Sequence, residues 1–153
     1  MKLRIFIKED MREAYKKHSG EELKLKPSTS GSAGIDVLAD RDVILKAGER
    51  TIVKTGMFTE FDSGFVCDVR PRSGMAIKYG VTVLNAPGTI DSDYRDEHGV
   101  ILINHSDVDY EIKKGDKIAQ LVFLKHETVE SEIVTLDELN SLERKGGFGH
   151  TGK

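Results

Sequence analysis

The side chains of this 153-residue chain that could do chemistry gather in four polar clusters and a tail. The clusters are "SAGID" (32–36), "RPRSG" (70–74), "NAPGTIDSDYR" (85–95) and "GDKIAQ" (115–120), and the chain ends on "GGFGHTGK" (146–153). All suit a phosphorylated ligand. An arginine beside a helix start is a ready phosphate site, because first-turn amides and the helix dipole both favour an anion. Asp91 and Asp93 also read as a D-x-D metal pair, since alternate residues of a strand share a face. Singly, each cluster has a plainer meaning. "AGID" reads as a turn, "RSG" as a capped helix start, "NAPG" as a hairpin loop with Pro87 and Gly88 in a type II turn, and "KKGDK" as a solvated turn.

Gly147 to Lys153 spells G-x-x-x-x-G-K, the opening of a phosphate-binding loop. That reading fails, because no strand feeds the loop, no helix leaves it, and no Ser or Thr follows Lys153 to meet magnesium. What survives is weaker: bare amides, the Thr151 hydroxyl, cations at Arg144, Lys145 and Lys153, and the Phe148 ring. These either close over an anionic ligand carrying a flat base or form a loose tail.

The elements that must position these groups are mostly strands. "KLRIFIK", "DVIL", "RTIVKTGMFTEF", "FVCDVR", "VTVL", "VILIN", "DYEI" and "IAQLVFL" are short runs rich in β-branched and aromatic residues, separated by turn chemistry such as "KAGE", "DSG" and "NHSD". Many short strands at close spacing predict a sandwich, jelly roll or barrel. Helix is confined to small pieces. "DMREAYKKHSG" reads as a helical excursion with Asp10 as N-cap and Gly20 as stop; Ser73 caps a short helix that Gly80 ends; and "TLDELNSLE" carries a capping box at Thr135 and Glu138, with Leu136, Leu139 and Leu142 spaced to dock.

Composition narrows the function. A chain of this length predicts one domain, and a formal charge of −3 offers no basic coat for nucleic acid. Cys67, the single cysteine, reads as a small buried apolar residue. The longest apolar runs, "VILI" and "LVFL", have four residues each, which predicts neither a membrane span nor a signal-peptide core; a cytoplasmic protein is expected. The five histidines form no ligand cluster by spacing, and His98 and His105 read as surface or loop residues.

Together with the tail, the clusters match a known family in order and wording. "AGIDVLA" (33–39), "PRSGMA" (71–76), "NAPGTIDSDYR" (85–95), "GDKIAQLVF" (115–123) and "GGFGHTG" (146–152) resemble the five motifs of the homotrimeric dUTPases, from about residue 23 to the end. The resemblance implies an all-β, distorted jelly-roll (β-clip-like) subunit over residues 1–142, with one or two short helices and residues 9–24 as an added helical excursion. Residues 143–153 would be a flexible, Gly-rich C-terminal arm that closes over a neighbour's ligand. The reaction implied is hydrolysis of dUTP to dUMP and pyrophosphate, with no nucleic-acid or membrane partner.

Residue roles follow from the same resemblance. Asp91 would be the general base on a water. Arg72, Ser73, Gly74 and Gln120 would hold phosphates, while Asn85 and a hairpin through Gly88, Thr89 and Ile90 would pair with uracil. Tyr94 would stand against the sugar, and Arg144, Phe148, Gly149, His150 and Thr151 would come from the arm. Magnesium would be held by substrate phosphates and water, with no direct protein ligand; Asp36 would touch that water shell or support the site. Asp96 stands where the family usually has glycine, and Gly99 where a long side chain often reaches phosphate. Two alternatives stay open: a dCTP deaminase-like enzyme, for which Glu97 is the nearby acid, and a non-catalytic nucleotide-binding trimer.

Overall fold

The computed structural model describes residues 1–20 and 25–139. Its strands are β1 (Leu3–Ile7), β2 (Ile35–Leu38), β3 (Val43–Leu45), β4 (Arg50–Lys54), β5 (Met57–Phe61), β6 (Phe65–Arg70), β7 (Val81–Val83), β8 (Gly88–Ile90), β9 (Gly99–Asn104), β10 (Tyr110–Ile112) and β11 (Lys117–Lys125). Two helices, α1 (Arg12–Ser19) and α2 (Ser73–Tyr79), complete the set. Every strand pairing is antiparallel. The strands form a four-stranded sheet in the order β2-β11-β6-β8, a three-stranded sheet β4-β9-β7, and the pairs β1-β5 and β3-β10. This is the all-β architecture with short helices that the strand pattern predicts, and the jelly roll that the family resemblance implies. No helix among the described residues is long and apolar enough to cross a membrane.

Period-two patterning sets the faces. Met57, Thr59 and Phe61 of β5 alternate inward, as do Val100, Leu102 and Asn104 of β9. Between β4 and β5 the single run "RTIVKTGMFTEF" is broken at Gly56, whose φ of 66° suits glycine. Phe61 and Phe123 meet edge to face at 5.1 Å, joining the β1-β5 pair to the four-stranded sheet. Cys67 is fully buried as expected, and burial, with Asp68 beside it, pushes its thiol up to about 12.

The N-terminal excursion packs more firmly than a surface appendage. A 3₁₀ turn (Glu9–Met11) leads into α1, and Met11 and Tyr15 are buried to 0% and 1% exposure. Side chains of that size each contribute roughly 1.5–3 kcal/mol through burial. The Tyr15 hydroxyl donates to the Thr55 carbonyl at 3.1 Å and accepts the Leu38 amide at 3.2 Å, tying α1 to β2 and to the turn after β4. Asp10 is not the N-cap. Its carboxylate takes Lys114 at 3.0 Å instead, while Gly20 ends the helix as predicted.

Three other local expectations are corrected. Ser73 is the first helical residue of α2 and Arg72 the N-cap, with no side-chain cap; Gly80, at φ 66°, closes that helix. The Ala86–Pro87 bond is cis and Gly88 opens β8 without a positive φ, so no type II turn forms. Nor do β7 and β8 make a hairpin, since β7 pairs with β9 and β8 with β6. At Thr135 the Glu138 carboxylate accepts the backbone N–H and the hydroxyl, both at 2.8 Å, but a turn follows over 136–139. Leu136 and Leu139 are exposed rather than docked, and Leu142 lies outside the described residues.

Candidate active site

The four-stranded sheet gathers the four polar clusters. Its inner face carries Ile35, Val37, Leu121, Val69, Cys67 and Ile90 into the core. Its other face carries Asp36 opposite Gln120, Gln120 opposite Arg70, and Asp68 opposite Thr89. A bulge at Ile118 decides this. Lys117 faces Leu38 while Ala119 already faces Val37, and that one-residue shift puts Gln120, not Ala119, across from Asp36.

Asp36 is half-buried and its two oxygens face Lys117 at 2.7 Å and Arg72 at 3.5 Å. Arg72 also donates to the Lys117 carbonyl at 2.9 Å, which orients its guanidinium and leaves further N–H groups for a ligand. Gln120 donates to the Pro71 carbonyl at 3.1 Å. Gly34 is where the backbone must come close: a Cβ there would lie 2.2 Å from Gln120 Oε1. Beyond Arg70, Ser73 and Gly74 form the exposed first turn of α2, whose amides lack partners within the helix. Over this row lies a cleft of about 420 Å³, lined by Arg70, Pro71, Ala86, Pro87 and Gln120.

On the far side of β6 lies β8, the edge strand, so the backbone groups of Gly88, Thr89 and Ile90 on its outer side have no ladder partner among the described residues. Asn85 is exposed before it and closely packed on it: a Cβ at Gly88 would stand 3.3 Å from Asn85 Nδ2 and 3.2 Å from Val69 Cβ. Asp91 is exposed just after β8, its carbonyl accepting the Tyr94 amide at 3.1 Å. Asp91 and Asp93 therefore sit in a turn, not on a strand, and the shared-face premise of a metal pair fails. The Tyr94 ring, 39% exposed, leans on the His98 ring at 6.2 Å.

His98 is not a surface residue. It is 2% exposed, its Nε2 shares a hydrogen bond with Thr59 Oγ1 at 3.0 Å, and its Nδ1 has no partner among the described residues. Burial holds its pKa down near 4. His105 is exposed, as expected. Four groups make contacts that the sequence reading did not assign: Asp68 and Arg70, paired at 2.8 Å across "DVR", Lys117, which stands in a quoted cluster without a role, and Glu97, read there only as a deaminase acid. Only the first pair had a signal, because opposite charges two apart in a strand share a face. Gly99 faces Lys54 across the β4-β9 ladder, where a Cβ would lie 2.8 Å from Ile52. Arg144, Phe148, Gly149, His150 and Thr151 lie outside the described residues.

Comparison with known proteins bears on the family and the fold. The family model described as dUTPase matches residues 23–152. The deoxyuridine 5'-triphosphate nucleotidohydrolase of Nautilia profundicola is 52% identical over 126 residues, covering 82% of this chain and 87% of the relative. That of Syntrophotalea carbinolica is 50% identical over 125 residues, covering 79% and 83%. The solved dUTPase of Staphylococcus bacteriophage 80alpha with dUPNHPP shares the fold, with a TM-score of 0.83 over 99% of both chains at 22% identity. On the strength of the matched family model and of relatives sharing about half their residues with it, the chain belongs to the dUTPase family.

Proposed function

We propose that the chain hydrolyses dUTP to dUMP and pyrophosphate by attack of water on the α-phosphorus, in sites completed by neighbouring copies in a homotrimer. The observation that carries the reading is the row Asp36–Gln120–Arg70 on one sheet face, with Arg72 beside it and Asp91 after the edge strand. The register supports a sharing of sites. Ile90 faces Cys67, so Asp91 continues toward Val66, four positions along β6 from Arg70, or roughly 13 Å at about 3.3 Å per residue. That is a long span for one α-phosphate to bridge. In this reading a second copy brings its phosphate clamp to the first copy's base, and a head-to-tail contact of this kind gives a ring when its rotation closes.

Asp91 takes a proton from the attacking water. Arg72, the Ser73 and Gly74 amides and Gln120 hold the phosphates and spread the charge that develops in the transition state. Asp36 orients Arg72. The free edge of β8 and Asn85 pair with the uracil edge, in a slot too tight for a 5-methyl group. Tyr94 stands against the sugar where a ribose would need room for its 2′-hydroxyl; one such wall discriminates by roughly 10²-fold. Phe148 stacks on the base while Arg144, Gly149, His150 and Thr151 close on the phosphates.

Among the described residues no three His, Cys, Asp or Glu side chains form a metal cage, and both Asp36 oxygens already face cations. Magnesium carried in by the triphosphate would neutralise phosphate charge. The substrate's place in the nucleotide pool supports a cytoplasmic setting. Glu97, the acid a deaminase would need, is held by Lys8 and the Gly56 amide.

Purified protein with magnesium and dUTP, dCTP, dTTP or UTP tests the reading. Pyrophosphate and dUMP from dUTP alone are expected. Formation of dUTP from dCTP, or tight binding of dUTP without turnover, would replace it. Removing residues 143–153 is expected to leave a folded oligomer with little activity.

A further inference from the structure

The N-terminal excursion reaches the loop that carries Asp91. Residues 91–97 leave β8 and rejoin the sheet at Gly99, and few bonds hold the loop internally: Tyr94 N–H to Asp91 O at 3.1 Å, and Arg95 to the Ser92 and Tyr94 carbonyls at 2.7 and 3.1 Å. Its C-terminal end is different. One Glu97 carboxylate oxygen accepts the Gly56 N–H at 2.8 Å and the other accepts Lys8 Nζ at 2.7 Å. The Gly56 carbonyl in turn accepts the Lys8 N–H at 2.8 Å. Lys8, Gly56 and Glu97 thus close a ring of three hydrogen bonds across segments 41, 48 and 89 residues apart in pairs.

The ring is backed on both sides. Met11 lies so close to Gly56 that a Cβ there would meet its Cγ at 2.6 Å, and Gly56 is further committed by its φ of 66°. The Glu97 carbonyl accepts Lys54 Nζ at 3.3 Å and the Tyr94 hydroxyl at 3.4 Å. The Glu97 side chain is 13% exposed and that of Lys8 42%, so the carboxylate is sheltered while the ammonium keeps contact with solvent. Lys8 and Met11 come from the N-terminal segment, Gly56 from the β4–β5 turn, and Glu97 from the loop that holds Asp91 and Tyr94.

We propose that Glu97 is a positioning residue for Asp91 and Tyr94, and that Lys8, at the root of the excursion, is the brace that holds it. This rests on Asp91 and Tyr94 having the roles proposed above. A base and a sugar wall on one loop need that loop held to a fraction of an ångström, since about 1 Å of misplacement can cost roughly 10²-fold in rate. Removing the brace loosens the loop without touching any group that meets the substrate.

The test compares wild type with K8M, E97Q, K8M/E97Q and the conservative K8R. K8M and E97Q are each expected to lower kcat for dUTP by about tenfold, with KM within about twofold. The preference for dUTP over UTP falls with kcat as Tyr94 loosens, the double variant is no worse than the worse single one, and K8R stays near wild type. Amide hydrogen exchange across 91–97 in the ligand-free protein rises in K8M and E97Q while the rest of β8 and β9 stays protected. The proposal is overturned if K8M and E97Q leave loop exchange unchanged, or if dUTP and UTP lose activity equally alongside global unfolding. If wild type itself fails to hydrolyse dUTP, the functional reading falls, and the exchange data still decide the brace.

Discussion

Replacing His98 by isoleucine, with Thr59 by valine so that no hydroxyl is left without its partner, isolates a buried acid-sensitive group. In the fold His98 is neutral: burial, with Lys54 nearby, outweighs the pull of Glu97 and lowers its pKa from 6.5 to about 4. The unfolded chain therefore binds the proton first as pH falls. The resulting stability is complete above pH 6.5, declines as pH drops below it, and levels off under pH 4. At pH 5 the loss is about 2 kcal/mol, and its limit is about 3 kcal/mol. Urea midpoints at pH 7.5 and 5, at one fixed protein concentration because subunit association enters the midpoint, give the comparison. Wild type should lose about 2 kcal/mol more than the H98I/T59V variant across that interval. Parallel losses, or an NMR titration of the His98 ring centred near its ordinary value, would refute the reasoning.

Asp91→Asn should lower kcat by roughly 10²–10⁴, with the substrate still bound, in a pyrophosphate-release assay. Gly34→Ala drives a methyl into Gln120 Oε1, the far end of a side chain whose Nε2 donates to the Pro71 carbonyl. Its melting temperature should hardly move, while KM for dUTP rises roughly three- to tenfold, the worth of about one hydrogen bond. Tyr15→Phe strips partners from the Thr55 carbonyl and the Leu38 amide in the core. Urea unfolding should record a cost of about 1–3 kcal/mol.

Much of the sheet was legible as pattern. "FVCDVR" is β6 from end to end, and "RTIVKTGMFTEF" needed only the break at Gly56 to become β4 and β5. The strands that escaped, β2 and β8, are the ones bearing Asp36 and the Gly88–Ile90 edge. Both are short, flanked by glycine and polar residues, and read locally as turns. Their extended form is imposed by β11 and β6, which pair with them from distant parts of the chain. The caps failed for a related reason: Asp10 had a better partner in Lys114, 104 residues away, than in its own helix.

The order and wording of five motifs, the single buried cysteine and the alternation of apolar residues were settled by the linear chain, because they depend on neighbours a few residues apart. Folding decided what lies across from what. The bulge at Ile118 that sets Gln120 against Asp36, the separation of Asp91 from Arg70, the burial of His98 and the ring joining Lys8, Gly56 and Glu97 all come from pairing between remote segments. Such contacts leave no periodicity in the chain, since each depends on registers and turns elsewhere in the sheets.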